Sequence, residues 1–183
     1  MANGKSKGSQ WERDISRFLT NWLTGQSKDL AFYRSPSSGA VFTTANFGNK
    51  EISGDIIALK QEGSYLIDLW SIECKNGYPD ISLDNFLKYN KSDDLRDFWG
   101  QSSHDAKKSG KYPMVIFKKK GMKPAWVAIC SVMFKKLNKY IKQERRVIHL
   151  KWANELDDMY IYSIDEFFED ITPEIVKRLS KNK

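Results

Sequence analysis

Gly54-Asp55-Ile56-Ile57-Ala58-Leu59, a polar stretch from Lys60 to Ser64, and Tyr65-Leu66-Ile67-Asp68-Leu69-Trp70-Ser71-Ile72-Glu73-Cys74-Lys75 make up the most informative run of the chain. Two apolar segments rich in β-branched and aromatic residues flank a short turn containing Gly63, a pattern that predicts a β-hairpin. Side chains alternate along a strand, so Glu73 and Lys75 should point to one side and Cys74 to the other. Antiparallel pairing around the turn would return Asp55 to the far end of the second strand, beside them.

Such a pairing needs an electrostatic partner. Two carboxylates about 4 Å apart at an effective dielectric near 20 repel by roughly 4 kcal/mol, a large part of a domain's net stability of about 5–15 kcal/mol. Lys75 offers one positive charge, and a hard divalent cation with oxygen ligands would offer the rest. Mg²⁺ between two carboxylates, with a lysine and water beside it, is suited to phosphodiester hydrolysis. In that role Lys75 would orient the attacking water or stabilise transition-state charge. The bland alternative makes Asp55 a turn residue and Glu73 and Lys75 a solvent-facing pair; both strands are apolar enough to be central, where charges seldom serve packing.

A Gly-Asp entering one strand, followed 18 residues later by Glu73 within Ile72-Glu73-Cys74-Lys75, resembles the PD-(D/E)xK nuclease superfamily. The upstream Lys7-Gly8-Ser9-Gln10-Trp11-Glu12-Arg13-Asp14 is similar to the opening helix of archaeal-type Holliday junction resolvases and phage resolvase-like endonucleases. The resemblance covers about residues 7 to 130, and Gly54 stands where the motif's namesake proline would be. It implies an α/β restriction-endonuclease-like fold, a central mixed β-sheet flanked by helices. It further implies Asp55 and Glu73 as metal ligands with the Cys74 carbonyl as a backbone ligand, Lys75 as the catalytic lysine, and Glu12 and Gln101 as supporting catalytic residues. Mg²⁺ is the expected cofactor, with Mn²⁺ substituting.

Around this centre, Ser9 is placed to cap a helix with Glu12 in capping-box position. Trp11, Ile15, Phe18, Leu19, Trp22 and Leu23 make its apolar face. Glu12 lies about 100° from Trp11, where it can cap the helix or reach toward a cleft; the resemblance favours the cleft. A short strand is predicted at Ala31 to Arg34, then a loop through Ser35-Pro36-Ser37-Ser38-Gly39 and Thr43 to Lys50. Resolvase-like relatives carry a similar arginine there, in a loop near the substrate, which makes Arg34 and Ser38 nucleic-acid candidates. Small residues there could bring backbone N–H groups to phosphate oxygens, or the segment could be a plain connection.

Helices are predicted from Ser82 to Tyr89 and from Asp93 to about Ser109, the latter with Leu95, Phe98, Trp99, Ser102 and Ala106 inward. Gln101 sits beside that face; a solvent-facing glutamine is the default, and the resemblance instead assigns its amide to the lysine or a phosphate. His104 reads as an exposed helix residue. Strands follow at 112–117 and 124–130 around a lysine-rich turn. Lys107, Lys108, Lys111, Lys118, Lys119, Lys120 and Lys123 either form a solvated face or neutralise phosphates, with Lys107, Lys111, Lys118 and Lys119 the nucleic-acid candidates. Beyond Ser131 the pattern predicts a basic helix to about Arg146, strands at 147–152 and 159–162, and a helical tail begun by Ser163 and by Thr172-Pro173.

The 183 residues suit one sizeable core, divided as a mobile basic tail (1–8), a nuclease core (9–130) and a C-terminal extension packed on the same domain (131–183). A net charge of +7 and a pI near 9.3 agree with a polyanionic partner. Cys74 and Cys130 sit in apolar runs, which favours reduced thiols in a cytoplasmic protein. With His104 and His149 they lack zinc-ligand spacing, which disfavours a zinc-ribbon or histidine-metal nuclease. No secretory signal or membrane span is evident. The expectation is therefore a homodimeric, phage-borne DNA endonuclease of recombination, cutting branched or Holliday-junction DNA. Restriction-like or homing-type duplex cleavage is the alternative, and a catalytically inactive nucleic-acid-binding module of the same fold a second one.

Overall fold

The computed structural model describes residues 4–26, 28, 30–35, 53–77, 94–119, 125–152 and 157–183. Ser38, the loop to Lys50, the 82–89 helix, Lys120 and Lys123 lie outside the described residues.

In chain order the elements are α1 (Gly4–Thr24), β1 (Phe32–Arg34), β2 (Ile56–Ala58), α2 (Gln61–Leu69), β3 (Trp70–Asn76), α3 (Asp94–Lys108), β4 (Tyr112–Lys118), β5 (Trp126–Cys130), α4 (Ser131–Leu137), β6 (Ile148–Leu150), β7 (Met159–Ser163), α5 (Ile164–Asp170) and α6 (Pro173–Lys181). The main sheet runs β3-β4-β5-β7-β6, and β1 and β2 form a separate antiparallel pair. Within this sheet, among the described residues, β3 and β4 run parallel and the other strand pairs antiparallel. This is the expected α/β architecture, a mixed sheet between helices.

The predicted hairpin at 55–75 is absent. Gln61 to Leu69 is helical, and Gly63, Leu66 and Leu69, three residues apart, are buried on its inner face. With that helix as a crossover, β2 enters beside β3 in the same direction: Gly54 forms a parallel bridge to Ile72, and Asp55 N–H donates to Ile72 O at 2.7 Å. Asp55 thus arrives at β3 by a strand-helix-strand path.

Other boundaries also differ. Helix α1 starts at Gly4, so Ser9 is inside it and cannot cap it, and residues 4–8 of the expected tail are helical. The predicted basic helix after Ser131 ends at Leu137. Residues 138–146 are held instead by Asp170, which accepts from Lys142 N–H at 3.0 Å and from Arg145 Nε at 3.0 Å.

Register and alternation assign the two faces of the sheet. Cys74, Ile116, Val127 and Tyr162 are in one row, and Glu73, Val115, Ala128 and Ile161 in the next. Tyr162 meets Phe167, Phe167 meets Phe168, and Phe168 meets Phe18 and Trp22. Helices α1 and α5 therefore cover the Cys74 face. Phe98 of α3 lies against Lys75, so α3 covers the face carrying Glu73 and Lys75. Leu95, Trp99, Ser102 and Ala106 are buried as predicted. Strand β7 lies inside the sheet, and Met159, Ile161, Phe167 and Val176 share one core with Trp11, Ile15 and Leu19.

Candidate active site

Asp55 reaches β3 because Gly54 permits it. Gly54 has φ of +82°, and a Cβ there would stand 2.5 Å from Ile72 O and 2.7 Å from Ile72 N. A side chain would meet rigid backbone in a conformation that L residues disfavour. Proline, fixed near φ −65°, would be excluded too. Gly54 therefore lets β2 dock on β3 and deliver the aspartate.

The Asp55 carboxylate then accepts a hydrogen bond from Cys74 N–H at 2.8 Å. On an extended strand the N–H and C=O of one residue point to the same edge. The Cys74 carbonyl thus lies on the β3 edge that faces Asp55. The Cys74 side chain is buried, and burial raises its thiol pKa well above the usual value, with the fields of Asp55 and Glu73 adding to the effect. Strand alternation also turns its side chain to the face opposite Glu73 and Lys75.

Glu73 and Lys75 emerge together on the opposite face from Cys74, as alternation predicted. Lys75 Nζ sits 2.7 Å from Glu73 Oε1, with side chains 15% and 17% exposed. The same ammonium lies 5.0 Å from the centre of the Phe98 ring, so an aromatic face of α3 helps to fix it. Glu12 is 9% exposed, and Arg34 Nε is 3.0 Å from its Oε2. It therefore faces inward from α1, beside the end of β1, and is not a helix cap.

These charges act on one another. Burial first, then Glu73, then Glu12 push the Asp55 carboxyl up to about 7, against the lowering effects of the Cys74 N–H and Lys75. Asp55, Glu73 and Glu12 are thus within electrostatic range although they come from β2, β3 and α1.

The other candidates are less centred. Gln101 is exposed, one turn beyond Phe98, and it is Phe98 that meets Lys75. Ser102 beside it is buried with its Oγ unpartnered. Lys118 pairs in register with Asn76 at the site end of β3, and its Nζ lies 5.5 Å from the Trp11 ring. Lys119 follows it. Lys111 precedes β4 at the opposite end, about 20 Å along the strand from the residue paired with Lys75, and exposed Lys107 is near it on α3. The lysine cluster is therefore split between two ends of the sheet. Sequence reasoning missed the Arg34–Glu12 pair and the Phe98 contact, both of which join segments far apart in sequence.

Among the described residues, no group of three His, Cys, Asp or Glu side chains is arranged to hold a metal ion by itself. The donor set nonetheless suits a hard cation that keeps waters and takes only one or two protein carboxylates, with substrate oxygen completing its shell. Among the described residues, Asp55, Glu73 and Glu12 stand with Arg34 and Lys75, and the crowding that pushes the Asp55 carboxyl up to about 7 is one that a cation would relieve. Asp55, Glu73 and the Cys74 carbonyl would be the ligands, and no soft donor competes. No helix among the described residues is long and apolar enough to cross a membrane.

Residues 3–178 match the family described as "Phage putative PDDEXK endonuclease". The match extends well past residue 130, where the sequence resemblance ended, and takes in β6, β7 and the closing helices. No curated protein and no solved structure matches the chain. With nearly its whole length matched, and with an aspartate just before β2 hydrogen-bonded to β3 and a glutamate and a lysine on β3 itself, the chain belongs to the phage PDDEXK endonuclease family.

Proposed function

We propose that the chain is a Mg²⁺-dependent DNA endonuclease acting on branched DNA, four-way junctions included. The observation that carries the reading is the electrostatic union of Asp55 and Glu73. Asp55, held at the edge of β3 by the Cys74 N–H at 2.8 Å, lies in the field of Glu73, which helps raise its affinity for positive charge, and Lys75 stands 2.7 Å from Glu73. When bound, Mg²⁺ would supply positive charge against the phosphate and a more acidic water. Asp55, held by the Cys74 N–H, and Glu73 would position that ion. Lys75, steadied by Phe98, would sit where negative charge develops on the phosphate. Glu12 would add to the acidic field from α1.

Among the described lysines, Lys118 and Lys119, at the site end of the sheet, are well placed to bind the backbone near the cut. Lys107, Lys111 and Arg34 extend the same role, and Gln101, being exposed, would act only on bound DNA. The branched substrate is supported by the resemblance of the Glu12 helix and the Gly-Asp…Glu-Cys-Lys spacing to resolvase-like enzymes. Two symmetrical cuts in a junction call for two centres, so a homodimer belongs to the proposal.

The test is cleavage of labelled four-way junction, flap, single-stranded and linear DNA, with and without Mg²⁺ or Mn²⁺. Junction cutting that stops in Asp55→Asn and Glu73→Gln, with DNA binding kept, is the expected result. Metal-independent cutting, or wild-type rates in either variant, would refute the catalytic assignment. Equal rates on junction and linear duplex would refute the branched substrate, and a monomer in sedimentation with DNA bound would refute the dimer.

A further inference from the structure

Arg34 ends β1, where it pairs in register with Ile56. The next residue, Ser35, donates its N–H to Asp55 O at 2.6 Å, so the backbone at Arg34 is fixed relative to the acidic centre. The guanidinium lies on Glu12 with side chains only 17% and 11% exposed. The packing of α1 on β1 has its own fastening, since Thr20 Oγ1 accepts from Ala31 and Phe32 N–H. The Arg34–Glu12 pair is thus not the sole link between these elements.

A guanidinium fork fits a carboxylate and a phosphate equally well, so a backbone phosphate competes with Glu12 for Arg34. Among the described residues, Asp55, Glu73 and Glu12 share the centre with Arg34 and Lys75, so a cation and a phosphate would each find opposite charge there. While Arg34 sits on Glu12 it weakens the negative field that a cation would feel. Once on phosphate, it returns that field to the cation and neutralises the substrate.

We propose that Arg34 is a substrate-operated exchange residue: it restrains Glu12 in the free protein and transfers to a DNA phosphate, releasing Glu12 toward the divalent cation held by Asp55 and Glu73. This rests on the metal-dependent nuclease reading above. Arg34 touches the substrate and acts on the cation only through Glu12, so DNA and metal bind cooperatively.

The test needs no cleavage. Titration of full-length protein with Mn²⁺ in the absence of DNA should show Arg34→Ala binding at least about five-fold tighter than wild type, because the Glu12 carboxylate no longer has the guanidinium on it and its field reaches the cation undiminished. Adding Glu12→Gln to that variant should remove the gain. In EDTA, Arg34→Ala should bind duplex DNA several-fold more weakly, with the salt slope reduced by about one. Glu12→Gln alone should bind DNA more tightly in EDTA, since a carboxylate that competes with phosphate for Arg34 is gone, and this variant carries the test if Arg34→Ala does not fold. Unchanged or weaker Mn²⁺ affinity in a folded Arg34→Ala, or unchanged DNA affinity in Glu12→Gln, would overturn the exchange. Asp55→Asn separates the two ideas: wild-type Mn²⁺ affinity in that variant would strike at the nuclease reading itself.

Discussion

Asp55 holds its proton to near neutrality because it is partly buried among like charges, and that has a cost to the metal-free protein. A carboxyl raised from 3.8 to about 7 on folding contributes stability that is fully present below about pH 4 and is lost as pH rises through 7. After discounting for partial exposure, the loss is about 2 kcal/mol. In EDTA, Asp55→Asn should therefore melt at the same temperature as wild type near pH 4 and several degrees higher at pH 8. Mg²⁺ at pH 8 should raise the wild-type melting temperature and leave the variant's unchanged. A gap that does not widen with pH would show that the ionised form is not strained. Gly54 gives a second prediction at this scale. Gly54→Pro restores the residue for which the motif is named, yet it should destabilise the fold by about 3 kcal/mol and abolish cleavage, since φ is +82° and Ile72 backbone fills the space. Equal melting temperatures for wild type and variant would contradict this. The side-chain alternation of Glu73, Cys74 and Lys75 was legible in the sequence because it depends only on local strand geometry. The need for glycine at 54 was not, because it arises from a backbone 18 residues away.

The stretch 61–69 shows at the scale of elements why the hairpin reading failed while its functional content survived. Tyr65, Leu66, Ile67 and Leu69 are dense enough in apolar residues to suit either a strand or a buried helix turn. The three-residue spacing of Gly63, Leu66 and Leu69 becomes decisive only when the helix has something to pack on. Either path returns Asp55 to β3, so the site was predictable while the route was not. The segment after α4 failed differently: residues 138–146 carry helix-friendly charges, but a tertiary anchor claims them. Arg145 joins Asp170, whose side chain is fully buried, and also Glu169 and Glu166. Burial alone would raise the Asp170 pKa, but the Arg145 hydrogen bonds and the Lys142 N–H lower it overall. Its contribution to stability is therefore present above the ordinary carboxylate range and lost as pH falls through its lowered value. Arg145→Met should lower the melting temperature by several degrees, since Asp170 loses the guanidinium fork and keeps only Lys142 among the described residues. Double-variant analysis with Asp170→Asn checks this: the cost of Arg145→Met should largely vanish in that background.

For the whole molecule, the decisive fact is where β7 lies. Reading the chain in order invites a boundary at residue 130, because the motif residues come before it and no chemistry comes after. In space, β7 pairs with β5 along five residues and separates β5 from β6, while Phe168 on α5 packs against Phe18 and Trp22 of α1. Trp22 Nε1 donates to Ile171 O across 149 residues of sequence. The face of the sheet behind Cys74 is thus closed by residues from both ends of the chain. Removing 131–183 would bare the β5 edge and uncover Val127, Ile116 and much of α1. A fragment of residues 1–130 should consequently lack a cooperative thermal transition and should fail to bind Mn²⁺, although it contains Glu12, Asp55, Glu73 and Lys75. Burial of that face, worth about 25 cal/mol per Å² of apolar surface, comes from partners the fragment no longer has. A fragment that melts sharply and binds metal like the full chain would mean that β3, β4 and β5 with α1 and α3 hold the centre by themselves, and that the closing strands and helices serve the substrate and not the fold.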